Sequence, residues 1–466
     1  MSLIFEKYPH LGGAEVKGLA EVAPVKIAVK DSLVPRRSNA RPIPAPLQAK
    51  VCGFLDEMLN NRLVESSPDN PHVSPVHLVH HPPRKDRLVM DYREVNKGIV
   101  DDPYPLPLIH HLHQRLLRFK VFSVLDLKWG FHNIPLHDDS KPLTGFAIQG
   151  RGVFRFRVLP FGIKVAPTIF QRIVESVLGP ELLLSDSVFV FVDDIVIGSG
   201  SVEENAELLR VVLEKLGKAQ LCLSLEKCQL FKEQVRYLGH IIGCNRLEAD
   251  PEKVQKLLDT PPPSKREELV SFLAAAGYLR EFLPHFAVEA AELQQLALTK
   301  GRFVWKPSAE QAYRHLKDLI GKAVSLSAPD PSRPFFVFTD ASEIGVGCAL
   351  AQASTGDAPF AFLHFSSKRF NDVQRRWSTT DREVFAVKWA LESCSRYIKG
   401  ATITVYTDHQ ALTHLDTSSN SKLLRYALKI AEFAPRIEHI AGTSNAMADC
   451  SAAAPLPRKR TWADTC

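Results

Sequence analysis

The chain has 466 residues, 45% of them hydrophobic and 24% charged. That is a length of about three domains with enough apolar content to bury a core in each, which excludes a disordered or fibrous chain. A net charge of +6 is compatible with a polyanionic partner and demands none. The eight cysteines are scattered singly and form no Cys-x-x-Cys pair, so neither a disulfide framework nor a zinc site is indicated and a reducing compartment fits.

The first 46 residues are Pro-rich (Val34-Pro35-Arg36-Arg37, then Arg41-Pro42-Ile43-Pro44-Ala45-Pro46) and read as an extended arm. From Leu47 to Val64 the apolar residues Val51, Phe54, Leu55, Met58, Leu59 and Leu63 recur at helical spacing, which predicts an amphipathic helix. Val76–Val79 and Leu88–Tyr92 read as two strands around the basic turn Pro82-Pro83-Arg84-Lys85-Asp86-Arg87. Such a turn is either a solvated loop or a grip for phosphates. The histidines His80, His81, His110, His111 and His113 lack partner ligands at metal spacing, which disfavours a metal site.

Val121 to Leu125 is an apolar strand that ends in the lone Asp126, a position suited either to chemistry or to capping the next helix. A helix is predicted over Ala166–Val177. The stretch Phe189-Val190-Phe191-Val192-Asp193-Asp194-Ile195-Val196-Ile197 follows, with two aspartates between β-branched runs. This pattern predicts a tight hairpin with Asp193-Asp194 as its turn. Adjacent carboxylates repel and are costly to bury, and a divalent cation bound through oxygen would offset the charge. The plain alternative is a turn in which Asp serves only its backbone. A helix over Val202–Gln220 and a strand over Val235–Ile242 come next.

From Pro251 helical patterns dominate (Pro251–Leu258, Lys265–Phe282, Val288–Leu298, Ala309–Leu319), interrupted by Pro261-Pro262-Pro263. The last module opens with Pro334–Thr339 as a strand ending at Asp340. A Gly-rich strand (Ile344–Leu350) follows, then a helix over Thr380–Ile398 with Glu383 in its first turn. Here Thr380 and Glu383 have capping-box spacing. A strand over Thr402–Thr407 ends at Asp408, and a strand over Arg436–Ile440 precedes Asn445 to Asp449. The last residues, 456–466, form a basic tail that weakly resembles a nuclear-targeting run.

Taken in order, the motifs resemble those of the reverse transcriptase and ribonuclease H of gypsy-class LTR retrotransposons (the Metaviridae Pol polyprotein). They are Leu125-Asp126-Leu127-Lys128-Trp129-Gly130-Phe131-His132, Pro160-Phe161-Gly162-Ile163-Lys164-Val165-Ala166-Pro167-Thr168-Ile169-Phe170-Gln171, Phe191-Val192-Asp193-Asp194 and Tyr237-Leu238-Gly239-His240. Thr339-Asp340-Ala341-Ser342, Ser378–Glu383, Tyr406-Thr407-Asp408-His409 and Ala448-Asp449 complete the series. So many ordered motifs at matching separations carry far more weight than any one of them.

The resemblance implies an α+β right-hand polymerase (fingers, palm, thumb) followed by an α/β ribonuclease H-like domain. Fingers and palm would span residues 47–243, a helical thumb and tether 244–332, and the ribonuclease H domain 333–455. It implies an RNA- and DNA-templated DNA polymerase that also cleaves the RNA strand of RNA–DNA hybrids. Each site would hold two Mg²⁺ ions, with Mn²⁺ as the alternative. Asp126, Asp193 and Asp194 would bind metal at the first site, and Asp340, Glu383, Asp408 and Asp449 at the second. Arg87, assisted by Lys85, would grip the triphosphate, Phe131 would lie under the sugar, and Tyr237, Leu238 and Gly239 would position the primer end.

The implied partners are an RNA template, a DNA or tRNA-like primer, the RNA–DNA hybrid and deoxynucleoside triphosphates. No membrane is expected, and a dimer stays open. The implied location is the cytoplasm, in a virus-like particle, or the nucleus. Three departures stand out. Val165 replaces the family Asn, Ala441–Asn445 carries no His where retroviral ribonucleases H have one, and Cys450-Ser451-Ala452 follows Asp449. No protease or integrase motif flanks the chain, which suggests a processed product or an excised segment. Two rivals remain: a degenerate retroelement-derived protein that only binds nucleic acid, and an RNA-copying palm polymerase that makes RNA.

Overall fold

The computed structural model describes residues 6–12, 19–79, 86–353, 360–408 and 421–440. The chain divides into two compact units, Met1–Arg115 with Phe119–Val235, and Leu116–Arg118 with Arg236–Cys466.

In the first unit the Pro-rich arm is extended but not loose. Leu11, Ala20, Val25 and Ile27 are buried in the main core, and single bridges join Val25 to Leu136 and Val29 to Ile99. Helix α1 (Ala45–Asn60) follows, with Val51 and Leu55 buried. Strands β1 (Val64–Ser66), β2 (Val76–Val79), β3 (Arg87–Met90) and β4 (Val121–Asp126) come next. After them lie β5 (Phe146–Ile148), β6 (Gly152–Phe156), helix α2 (Ala166–Leu178), β7 (Val188–Phe191) and β8 (Asp194–Ser199). Helix α3 (Val202–Lys218) and β9 (Gln229–Lys232) complete the unit.

The central sheet has the order β7-β8-β4-β9. Its middle strands β4 and β8 are buried along almost their whole length, with α3 packed against both of them and α2 against the neighbouring β7. Ile195, Ile197, Leu209, Val212, Leu213 and Leu216 meet there, and a fully buried side chain of this kind contributes roughly 1.5–3 kcal/mol. Helix α3 is also capped: the Ser201 hydroxyl accepts from Glu204 N–H, which satisfies one of its free donors.

The antiparallel β4–β8 register sets Asp126 directly opposite Asp194 at the sheet's end. The hairpin turn is shifted by one residue from the sequence expectation. Phe191 pairs with Asp194, so the two-residue turn is Val192-Asp193 and Asp194 already belongs to β8. Val192 has φ 52°, which matches a type II′ turn, the kind whose twist suits a hairpin. A β-branched residue is disfavoured there, which is why the sequence pattern placed the turn at the two aspartates.

The second unit begins with β10 (Gln234–Tyr237), β11 (His240–Gly243) and β12 (Arg246–Ala249), a three-stranded sheet in that order. The segment read as one strand over Val235–Ile242 is therefore two. Leu238 (φ 44°) and Gly239 (φ 75°) form the two-residue turn between them, with the positive angles of a type I′ hairpin. Helices α4 (Pro251–Asp259), α5 (Arg266–Gly277), α6 (Phe286–Glu289), α7 (Ala291–Leu298) and α8 (Pro307–Gly321) follow around their own core. The helix expected to run on to Phe282 stops at Gly277. Leu283 precedes Pro284 and is extended (ψ 111°), as steric conflict with the proline ring requires.

A five-stranded mixed sheet ends the unit. Its strands are β13 (Phe335–Ala341), β14 (Gly345–Ala353), β15 (Phe360–Arg369), β16 (Ile403–Thr407) and β17 (Arg436–His439), in the order β15-β14-β13-β16-β17. The first three are antiparallel, while β16 runs parallel to β13 and to β17. Helix α9 (Thr379–Ile398) packs on β13, β14 and β16, and α10 (Ser421–Ala431) on α9. Sequence reading had missed β15 and α10. Among the described residues no helix is long and apolar enough to cross a membrane.

Candidate active sites

The first site is built where β4 ends beside the β7–β8 turn. Like charges directly opposite on paired strands destabilise a sheet, so the Asp126–Asp194 pair needs compensation. Part of it comes from Lys227, whose Nζ lies 3.1 Å from Asp126 Oδ1. Burial pushes the carboxyls of Asp193 and Asp194 up to about 6; their repulsion by neighbouring aspartates adds to this, and Lys227 opposes it. Asp193 Oδ1 is buried with no hydrogen-bond partner among the described residues. Gly130 sits against it: a Cβ there would come within 2.8 Å of Asp193 Oδ1, so only glycine leaves the carboxylate its place.

The strained turn is held from below by Gln171 of α2, a fully buried side chain. Its Oε1 accepts from Val192 N–H at 2.6 Å, and its Nε2 donates to the Val190 carbonyl at 2.9 Å. A rigid amide thus fixes the backbone that carries Asp193.

The second site lies at the ends of β13 and β16 and on the first turns of α9. Asp340 is on β13, Asp408 immediately follows β16, and Glu383 is on α9. Glu383 is 3% exposed. Its carboxyl is pushed up to about 8, first by burial, then by Asp408 and Asp340; the Ala341 N–H and Arg382 work against this. Its Oε2 has no hydrogen-bond partner among the described residues. Despite the capping-box spacing, Thr380 is not the N-cap of α9. The N-cap is Ser378, which accepts from Asp381 N–H, so Glu383 lies one turn further in and is left to face the other carboxylates. Asp449 lies outside the described residues, as does Lys85.

No three histidine, cysteine or carboxylate ligands among the described residues are gathered closely enough to enclose a metal ion as they stand. The donor sets nonetheless fit a hard divalent cation. They are carboxylate oxygens, mutually repelling, with one buried oxygen at each site left without a donor.

Comparison with known proteins bears on both sites. Residues 79–242 match the family described as reverse transcriptase (RNA-dependent DNA polymerase), and residues 330–433 match the RNase H-like domain found in reverse transcriptase. The Drosophila melanogaster retrovirus-related Pol polyprotein from transposon opus is 30% identical over 98% of this chain and 47% of its own length. That from transposon gypsy is 32% identical over 78% of this chain and 36% of its own length.

The chain belongs to the reverse transcriptase–ribonuclease H family of retrotransposon Pol polyproteins.

It spans about half or less of the length of these curated relatives. Solved structures of the foamy viral protease-reverse transcriptase share the fold. The complex with an RNA/DNA hybrid matches with TM-score 0.78 at 21% identity, over 95% of this chain and 60% of that one. The complex with dsDNA matches with TM-score 0.79 at 22% identity, over 94% and 92%. The right-hand polymerase followed by a ribonuclease H-like domain is therefore the architecture of this reverse transcriptase relative.

Of the remaining motif residues, Arg87 opens β3 and is exposed. Phe131 is 8% exposed and packs between Phe170 and Phe161, with ring centroids 5.4 and 5.0 Å away. Phe161, 51% exposed, is the ring of this group that faces solvent. Tyr237 is buried at the end of β10, next to the Leu238-Gly239 turn. Val165, the departure from the family Asn, is the N-cap of α2 without a side-chain cap. It is buried in the core instead, with Pro167 nearby removing one of the donors a cap would serve. Lys227 has no local signal in the sequence, because its partner Asp126 is distant along the chain and the residues between α3 and β10 show no clear periodicity. Gln229-Leu230-Phe231-Lys232 is short and does not alternate, so it carries no clear strand signal, yet its pairing with β4 as β9 is what brings Lys227 beside Asp126.

Proposed function

We propose that this chain is an RNA- and DNA-templated DNA polymerase that also cleaves the RNA strand of RNA–DNA hybrids, copying retrotransposon RNA into DNA. The observation that carries this reading is the pair of separate carboxylate clusters, one in each matched domain, each with a buried carboxylate oxygen that lacks a donor. Asp126, Asp193 and Asp194 would hold divalent ions at the polymerase site; Asp340, Glu383, Asp408 and Asp449 would hold them at the other. Mg²⁺ suits these oxygen donors, with Mn²⁺ as the alternative. When bound, two such ions lower the pKa of the attacking hydroxyl or water and steady the leaving oxygen.

The chain's own residues supply the rest. Gln171 fixes the turn that aims Asp193. Arg87 and Lys85 meet the triphosphate of a deoxynucleotide, and Phe131 with Phe161 forms the aromatic floor against which its sugar would lie. Tyr237, Leu238 and Gly239 set the primer end. Basic surface would grip template, primer and hybrid through phosphates, so binding weakens with salt. Action in the cytoplasm, within a virus-like particle, or in the nucleus rests on the family resemblance alone, as does any dimer.

The test is primer extension on a 5′-labelled RNA template, which reports synthesis and RNA cutting in one tube. Asp193→Asn should abolish extension and leave cutting, and Asp340→Asn should do the reverse. An intact protein that binds hybrid and performs neither reaction would establish the nucleic-acid-binding relic instead.

A further inference from the structure

Resting on the ribonuclease reading above, we propose that His285 is a further residue of the ribonuclease site, contributed by the helical module, which donates a hydrogen bond to a phosphate oxygen of the RNA strand at Asp340. His285 Nδ1 lies 3.9 Å from Asp340 Oδ2. That is too long for a hydrogen bond, so the ring does not orient the carboxylate. It stands at the edge of the site with its side chain 24% exposed, open to what binds there. An RNA phosphate brought to Asp340 comes within reach of the same ring, and a neutral imidazole always carries one N–H donor.

The placement of the ring is enforced. His285 has a left-handed backbone (φ 52°, ψ 15°), an uncommon conformation for a residue with a Cβ, and such residues gather where structure over-determines them. What holds it is on both sides. Leu283 is fully buried before it and Phe286 is buried after it. Ala287 N–H donates to Ser367 Oγ of β15 at 2.8 Å. Arg369, at the end of the same strand, donates to the Ala291 carbonyl and to Gln295 Oε1 at 3.3 and 3.0 Å. Helices α6 and α7 are thus fastened to the edge of the sheet that carries Asp340, and His285 is the residue this fastening delivers to the carboxylates. A purely structural need for a left-handed residue would be met by glycine or asparagine, neither of which brings an imidazole.

The test uses His285→Gly and His285→Asn in the full chain, both of which accept the left-handed backbone. Cleavage of a 5′-labelled RNA in a preformed RNA–DNA hybrid is followed at steady state, with primer extension as the control for folding. His285→Gly should lose about tenfold to a hundredfold in kcat, the effect of removing one hydrogen bond to a charged group. KM should hold, because hybrid binding is spread over many phosphates. His285→Asn, whose amide also donates, should recover part of the loss, and extension should be unchanged. Cutting by His285→Gly at the wild-type rate or faster overturns the proposal, as do equal losses in the two variants, which would mark a scaffold role. A wild-type protein that cuts no hybrid overturns the ribonuclease reading itself, and this inference with it.

Discussion

The two carboxylate sites meet the same problem, anions crowded at the end of a sheet, in different ways. At the polymerase site the charge is shared with a lysine. Lys227 lies against Asp126, and the carboxyls of Asp193 and Asp194 rise only to about 6. At the ribonuclease site Glu383 is more deeply buried, the Ala341 N–H and Arg382 relieve it only in part, and its carboxyl rises to about 8. The first site is close to ionised at neutral pH before any ion arrives. The second holds a proton that an ion must displace. Metal occupancy should therefore rise with pH over a higher pH range in the ribonuclease domain than in the polymerase.

The largest expected effect follows from Glu383. A carboxyl whose pKa is higher in the folded chain than in the unfolded one binds its proton more tightly when folded. Its favourable contribution is complete below the unfolded value of 4.5 and is lost as pH rises through about 8. Without metal, Glu383→Gln should then be more stable than wild type at pH 8 and above, by roughly 2–4 kcal/mol, or several degrees in Tm. The difference should vanish near pH 4. Added Mg²⁺ should reverse the order by stabilising wild type alone, while RNA cutting by the variant falls to background. Thermal melts across pH with and without the ion measure all of this, and a flat difference across pH would show that Glu383 is not held protonated.

A smaller effect should separate the sites from the polymerase side. Gln171→Leu fills the same buried space but removes both hydrogen bonds to the Val190–Val192 backbone. The unpaired groups should cost about 1–3 kcal/mol, and extension should fall sharply because the turn that aims Asp193 is released. RNA cutting should persist. Equal loss of both activities would mean that the variant had unfolded the chain rather than loosened one turn.

The sequence carried the strands that end in Asp126 and Asp340, the acidic hairpin and the main helices, because each is written locally in apolar periodicity. What it did not carry were features decided by distant partners. The hairpin turn sits at Val192-Asp193 because Gln171 enforces a left-handed valine, a cost no local pattern reveals. Glu383 had the spacing of a cap, but Ser378 begins the helix two residues before Thr380. Lys227 reaches Asp126 across 101 positions of sequence, through a strand too short to stand out by itself.

The smallest effect is the one that decides whether Lys227 accounts for the contrast between the sites. Its side chain is 63% exposed, so solvent screens the pairing and its removal should change little, up to about 1 kcal/mol. The sign should depend on pH. Well above 6 Asp193 and Asp194 are ionised with or without the lysine, and Lys227→Met removes a cation that competes with the metal for Asp126, so ion binding should tighten. Near pH 6 the same change leaves Asp193 and Asp194 with a higher proton affinity, so protons compete better and ion binding should weaken. In an Asp340→Asn background, where the ribonuclease site is disabled, Mn²⁺-dependent shifts in Tm for Lys227→Met and its parent should cross between pH 6 and 8. Parallel curves would mean that burial alone sets the charge of the polymerase site and that the lysine is a bystander.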